Sequence, residues 1–253
     1  MITVAKRCTE FGEIKILRSR SNGSYSYCHG NAYQSEADGN GVSLAPYIHA
    51  IYGLLSQTPG REVLMIGCGG GTLGTMLAKT GWVVTIVDID PESISLAQQY
   101  FSLPEEVICY GMDGFTFLEH SPQRFDAIVV DAFMGEMTPD HLCSVEFFQL
   151  VRQRLSAGGC IFFNALAEHD LDFRADQIAD RLTDASFQVR ILDTMGRISR
   201  NAIVMGGNVT ELRSPSIHIV PEVEAEEVVT ELKRMQFRRI RRRFNATADV
   251  ETS

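Results

Sequence analysis

The spacing of apolar and polar residues changes character near residue 41. Before it, residues 1 to 40 alternate apolar and polar positions, as strands with one buried face do. Within this stretch, "GEIKILRSRSNGSYSYCHG" places Asn22-Gly23 between two alternating runs, a hairpin signal. From Ser43 to Ser56 the period lengthens. Leu44, Tyr47, Ile48, Ile51 and Leu54 or Leu55 recur at helical spacing. Short apolar runs then alternate with helical stretches. Strands are expected at "EVLMIG", "WVVTIVDID", "EVICY", "FDAIVVDAF" and "GGCIFFNAL". Helices are expected at "TLGTMLAKT", "PESISLAQQYF", "GFTFLEH" and "PDHLCSVEFFQLVRQRL". Strands that are apolar throughout, separated by helices, predict a parallel sheet covered on both faces. A helix over 170–184 and two strands close in sequence, "FQVRILDT" and "NAIVMGG", complete the α/β pattern.

The chain end is different. "PEVEAEEVVTELKRMQFRRIRRRF" begins acidic and ends basic, matching a helix dipole. A helix from Pro221 to Phe244 is expected, with Val228, Leu232, Met235 and Phe244 as an apolar stripe for packing or assembly. The alternative use of its basic run, Lys233 to Arg243, is binding of RNA or an acidic membrane. The final "NATADVETS" reads as frayed. The expected division is therefore a small β-strand unit over 1–40, a Rossmann-like unit over 41–220, and a helix with tail over 221–253.

Composition narrows the function classes. With 253 residues, 45% of them hydrophobic and 22% charged, the chain reads as a globular protein. No stretch approaches the roughly 20 apolar residues of a membrane span, and the start lacks a signal-peptide layout, which favours the cytoplasm. The net charge of −9 disfavours nucleic acid as a partner. Cys8, Cys28, Cys68, Cys109, Cys143 and Cys160 form no C-x-x-C, and no histidine lies three to five residues from another, so no metal site is expected. Cys68, Cys109 and Cys160 read as buried free thiols.

The chemistry centres on "VLMIGCGGGTLG", residues 63 to 74, a glycine-rich turn directly behind a strand. No lysine follows the glycines, so the triphosphate loop G-x-x-x-x-G-K-[ST] is excluded. Gly69, Gly71 and Gly74 satisfy the dinucleotide pattern G-x-G-x-x-G, with Asp88 nineteen residues after Gly69 to grip ribose hydroxyls. Gly67, Gly69 and Gly71 equally satisfy the tighter G-x-G-x-G of adenosylmethionine-binding folds. Glycines alone do not separate the two. Three successive strand ends carry acids: Asp88, Asp113 and Asp131. Ligands of open α/β sheets bind at that edge. Each acid has a plainer reading as a helix or loop cap. "EHD", with Glu168, His169 and Asp170, follows another strand end at the expected cleft rim and is a lesser candidate.

Taken together, "VLMIGCGGGTLG", "VVDIDP", "GMDGFTFL", "FDAIVVDAF" and "HLCSVEFFQLVRQRLSAGGCIFFN" resemble the polyamine aminopropyltransferases, spermidine synthase and its relatives, in the class I methyltransferase superfamily. The resemblance covers residues 30 to 165, and the strand-rich start is similar to that family's small β-domain. It implies a Rossmann-like class I methyltransferase fold, a mostly parallel sheet with an antiparallel last strand. It also implies decarboxylated S-adenosylmethionine or S-adenosylmethionine as donor, a small-molecule amine as acceptor, and a homodimer or larger homo-oligomer. By motif, Gly67, Gly69 and Gly71 line the donor loop, Asp88 and the adjoining Ile89 meet the ribose side, and Met112 and Asp113 sit at the adenine. Asp131 matches the catalytic aspartate, and Gln34 in "YQSEAD" lies near the donor's reactive end.

The departures concern charge recognition. Thr72 stands where the family has an aspartate after its glycines, and Met134 replaces the second acid of aspartate-x-x-aspartate-proline. The family's tyrosine-histidine-glutamate segment is not recognisable in "SLAPYIHAIY". An uncharged Thr72 has nothing to repel the carboxylate of intact adenosylmethionine, so both donors are expected to bind within about tenfold of each other. Aminopropyl transfer is the leading reading. Methyl transfer on the same fold and a non-catalytic nucleoside-binding relative are the alternatives.

Overall fold

Alternation in the first forty residues has its expected consequence. The computed structural model describes residues 1–135 and 137–241. Strands β1 (Ile2–Thr9), β2 (Gly12–Arg18), β3 (Tyr25–His29) and β4 (Ala32–Ala37) form one antiparallel sheet in chain order. Asn22-Gly23 lies in the turn joining β2 to β3. The inward residues Ile14, Ile16 and Tyr27 pack against Leu96 and Phe101 of the larger body, which anchors the small sheet there.

The larger sheet has eight strands. After α1 (Pro46–Leu55) come β5 (Glu62–Ile66), α2 (Thr72–Ala78), β6 (Val83–Asp88), α3 (Pro91–Tyr100), β7 (Ile108–Gly111), α4 (Gly114–His120) and β8 (Phe125–Val130). A 3-10 turn (Asp140–Cys143), α5 (Val145–Arg154), β9 (Leu155–Ala167), α6 (Arg174–Asp184), β10 (Val189–Asp193), β11 (Arg200–Gly207), α7 (Ala225–Arg234) and β12 (Gln236–Arg238) follow. The strand order is β12-β10-β11-β9-β8-β5-β6-β7. Strands β9, β8, β5, β6 and β7 are mutually parallel, and β11 runs antiparallel between β9 and β10. This is the class I methyltransferase-like α/β arrangement. Period-two burial explains why both faces are apolar: Val63, Met65 and Phe162 enter one core, and Leu64, Ile66 and Phe163 the other.

The chain leaves β5 toward β6 on one side, and later returns to β8 on the other. Loops from β5 and β8 therefore diverge, opening a crevice at their carboxyl ends. No helix among the described residues is long and apolar enough to cross a membrane.

Two helices differ from expectation. The run "PDHLCSVEFFQLVRQRL" is broken at Ser144, whose hydroxyl accepts from Phe147 N at 3.0 Å and starts α5 afresh after the 3-10 turn. The last helix ends at Arg234, not Phe244, and the chain then pairs as β12 on the edge of β10. Val228, Leu232 and Met235 are buried in this chain's own core. Phe244, the last two residues of the basic run and the frayed tail lie outside the described residues.

Ion pairing explains why the charge pattern outruns the helix. Arg238 reaches Asp176 (Nη1 to Oδ1, 2.7 Å) and Asp193 (Nε to Oδ2, 2.7 Å). Arg200 holds the other oxygen of Asp193 at 2.7 Å, and Arg241 that of Asp176 at 2.6 Å. These bases close the sheet edge. Burial alone would raise both carboxyls, but the arginines outweigh it and hold them below the usual range. Such depressed carboxyls contribute stability above their unfolded pKa, and that contribution is lost as pH falls through the folded value. Asp193→Asn leaves two buried guanidiniums short of a partner and is expected to cost about 3–5 kcal/mol in urea unfolding. It should also flatten the loss of stability below about pH 4.

Candidate functional site

The crevice begins where β5 ends. Gly67 has φ +97°, and a Cβ there would lie 2.2 Å from the Asp131 carbonyl oxygen. Only glycine permits this approach. The loop then runs through Gly69 (φ +50°) to Gly71 (φ +62°), which caps α2 in the left-handed region. Asp88, at the end of β6, braces it. Its Oδ2 accepts from Cys68 N at 2.6 Å and its Oδ1 from Asp90 N at 2.8 Å. Burial raises the Asp88 carboxyl, and the backbone N–H groups oppose that rise. From the small sheet, Ser35 Oγ accepts from Gly70 N at 3.0 Å.

A cavity of about 470 Å³ opens above this loop. Its lining includes Gln34, Gly67, Gly69, Asp88, Ile89, Asp113 and Asp131, so seven expected residues converge from both sheets. Gln34 Nε2 is buried there without a hydrogen-bond partner. Cys68 also lines it, and burial pushes its thiol well above the usual value.

Several residues from the sequence reading do not line the cavity. Gly71 faces Ala97 and Leu103, its part being to turn the chain into α2. Met112 packs into the core beside α4. Thr72 is the first residue of α2 and is buried where the glycine loop turns into that helix. His169 is likewise outside the lining. Its Nδ1 accepts from Leu171 N at 3.2 Å, while Asp170 pairs with Arg200 and Glu168 with Arg174.

Asp113 is both a cap and a wall. Its Oδ1 accepts from Thr116 N and Oγ1 at 2.9 and 3.1 Å, and its Oδ2 meets His141 Nε2 at 2.7 Å. Burial would raise this carboxyl, but Thr116 and His141 together hold it below the usual range. Asp90 similarly caps α3 through Glu92 N at 3.0 Å and accepts from Thr9 of the small sheet at 2.7 Å.

Asp131 is set differently. It follows β8, and its carboxylate is held by side chains alone. Tyr47 Oη donates to Oδ2 at 3.1 Å, Asn164 Nδ2 to Oδ1 at 2.7 Å, and Asn201 Nδ2 in turn to Asn164 Oδ1 at 3.0 Å. Burial pushes the Asp131 carboxyl above its usual range, against these two hydrogen bonds. Burial and the facing carboxyl push Tyr47 well up, so it stays a neutral donor. Such a fixed, poorly solvated carboxylate is suited to orienting a cation and taking a proton. The sequence reading missed Tyr47, Asn164 and Asn201. The available signals were Tyr47 inside the segment lacking the family motif, and Asn164 as a polar residue within the apolar run "CIFFNAL".

The lining carries the carboxylates Asp88, Asp90, Asp113 and Asp131, and no lysine or arginine among the described residues. No group of three or more His, Cys, Asp or Glu among the described residues is arranged to hold a metal ion.

The chain is similar to several known proteins. A polyamine aminopropyltransferase from Chromobacterium violaceum is 30% identical over 165 residues, 63% of this chain and 62% of that protein. An N-terminal histidine N-methyltransferase from Emericella nidulans is 34% identical over 122 residues, 46% of this chain and 22% of that protein. The chain thus spans less than two thirds of the length of these curated relatives. The crystal structure of a probable spermidine synthase from Corynebacterium glutamicum superposes with a TM-score of 0.73 at 18% identity, covering 94% of this chain and 90% of that one. The family model described as the spermine/spermidine synthase domain matches residues 48–189, more than half the chain, so the protein belongs to that family.

Proposed function

We propose that this protein transfers an aminopropyl group from decarboxylated S-adenosylmethionine to an amine. The observation that carries the reading is Asp131, fixed by Tyr47 and Asn164 in a cavity whose described lining holds four carboxylates and neither lysine nor arginine. The adenosine would lie on the glycine loop, with the ribose at Asp88 and the base between Ile89 and Asp113. The Asp88 carboxylate already accepts from Cys68 and Asp90 N–H, with Gly69 N–H also facing it. A carboxylate offers about four lone-pair sites, so acceptor capacity for a ribose hydroxyl remains. The unpartnered Gln34 amide is a donor awaiting an acceptor on the ligand.

The charge of the cavity selects the donor. The decarboxylated donor carries a sulfonium and an ammonium, both attracted to this lining. Intact adenosylmethionine adds a carboxylate beside the Asp131 carboxyl, and the described lining offers it neither lysine nor arginine. Thr72 alone, being uncharged, gives the expectation that both donors bind within about tenfold; the carboxylates of the lining favour a larger preference for the decarboxylated one. Attack at the sulfonium needs no further activation of the electrophile. The protein aligns the amine and removes its proton. Asp131 lies where it can do both.

Calorimetric titration with the two donors is expected to favour the decarboxylated one by at least about tenfold, or 1.4 kcal/mol. Equal affinity, or tighter binding of intact adenosylmethionine, would make methyl transfer the better account, as in the Emericella relative's name.

Asp88→Ala removes charged acceptors worth about 1.5–3 kcal/mol. Methylthioadenosine affinity should fall at least about tenfold, and unchanged affinity would dismiss the ribose assignment.

For Asp131→Asn, turnover should fall about a hundredfold or more, with methylthioadenosine affinity within a few-fold of the parent. The same change should raise the melting temperature. A carboxyl whose folded pKa is raised loses stability as pH rises through that value, and the amide has no charge to bury. The gain, read as a Tm shift, is about 2–4 °C per kcal/mol relieved. Loss of both activity and stability would mark Asp131 as structural.

A further inference from the structure

The two oxygens of Asp113 have different work. Oδ1 is spent on the start of its own helix, accepting from Thr116 N and Oγ1 at 2.9 and 3.1 Å. Oδ2 meets His141 Nε2 at 2.7 Å. A carboxylate only accepts, so Nε2 carries the hydrogen. His141 belongs to neither β7 nor α4. It sits in the 3-10 turn Asp140–Cys143, which the chain reaches after leaving β8. Strand β8 stands three places from β7 in the sheet, about 14 Å at the usual strand spacing. The chain therefore comes back across the sheet edge to set an imidazole on this acid. The turn is firmly seated: Leu142 and Cys143 are buried, and the His141 carbonyl accepts from Ser144 Oγ at 3.0 Å.

Asp113 and His141 both line the cavity, together with Ile89, Gly114 and Leu142. The terminal torsion of an aspartate is soft. With Oδ1 held by Thr116 alone, Oδ2 could still swing. His141 removes that freedom and points Oδ2 in one direction. An oxygen of a carboxylate has about two lone-pair sites, so one remains for a single further N–H. Burial would raise the Asp113 carboxyl, but Thr116 and His141 outweigh it and keep it an acceptor. Such an oxygen gains from an amino N–H. It gains nothing from a ring C–H, and it repels a carbonyl oxygen.

Resting on the reading that an adenosyl donor lies in this cavity, we infer that His141 is a positioning residue for the purine base: it directs Asp113 Oδ2 at the 6-amino group and so sets selectivity for a 6-aminopurine nucleoside. The amino N–H donates to Oδ2 beside the imidazole N–H. Thr116 by itself would preserve the helix cap but leave Oδ2 undirected. His141 acts through Asp113 and takes no part at the sulfonium. Its side chain is 49% exposed, so replacing it should leave the fold intact.

The test is calorimetry on the full chain with two nucleosides, methylthioadenosine and the analogue that carries hydrogen in place of the 6-amino group. The parent should bind methylthioadenosine at least about tenfold tighter, as expected for an N–H meeting a charged acceptor. His141→Ala should weaken methylthioadenosine about fivefold or more while leaving the analogue within about twofold, so the selectivity narrows. Unchanged analogue binding also shows that the variant is folded. His141→Gln, whose amide nitrogen reaches a similar position, should recover most of the lost affinity and selectivity. Equal weakening of both nucleosides by His141→Ala overturns the inference, because the turn would then only shape the cavity. Unchanged methylthioadenosine affinity overturns it too, as does a glutamine variant no better than alanine. A parent that binds the two nucleosides alike overturns the base placement and with it the role of His141, yet leaves a nucleoside site on the glycine loop standing. Failure of methylthioadenosine to bind at all overturns both.

Discussion

The exits of β5 and β8 pass so close that only a hydrogen fits between them at Gly67. Everything in the crevice follows from that approach. The chain leaving β5 has to turn away from β8, and it turns through residues at positive φ into α2. The chain leaving β8 turns the other way, which leaves Asp131 at the floor between them. The arrangement is held by a second constraint. Asp88, one strand over, accepts the backbone N–H of Cys68 and so fixes the loop's height above the sheet. A ligand lying on this loop would meet geometry that the apo chain already has, so little binding energy would go into ordering it.

The acids of the cavity divide by how they are satisfied. Asp90 and Asp113 serve backbone N–H groups, and the Thr9 hydroxyl and the His141 imidazole meet their remaining oxygens. Asp88 serves backbone alone. Asp131 has only neutral side chains around it, which compensate burial less well than a cation would. Its carboxyl is accordingly raised, whereas the arginine-paired Asp176 and Asp193 are depressed. Two kinds of buried acid thus coexist in one fold. One kind closes the sheet edge and stabilises it. The other carries an unrelieved desolvation cost of the sort associated with functional sites.

Strand ends were legible in the sequence because apolar runs terminate there in an acid. Pattern alone therefore groups Asp88, Asp113 and Asp131 at one sheet edge. Their partners were not legible. Tyr47, Asn164 and Asn201 come from α1, β9 and β11, and their meeting at Asp131 depends on strand order and register, which local pattern does not encode. Within the glycine loop, spacing could not say which residues face outward. Gly71 and Thr72 look equivalent to Gly69 in sequence, yet the turn into α2 rotates them toward the core. The last helix was overextended for a related reason. Acid-to-base polarity fits a helix dipole, but Arg238 and Arg241 were charged for Asp176 and Asp193, far away in sequence.

The small N-terminal sheet is part of the crevice rather than an appendage. Ser35 receives the Gly70 N–H, Thr9 donates to Asp90, and Gln34 lines the wall with its amide nitrogen unpaired. Its apolar face meanwhile rests on Leu96 and Phe101 at the end of α3, the helix that Asp90 caps. Docking of the sheet and shaping of the cavity therefore share one set of contacts. Anything bound between Gln34 and the glycine loop touches both sheets, and by linkage it must stabilise their association as much as that association favours its binding.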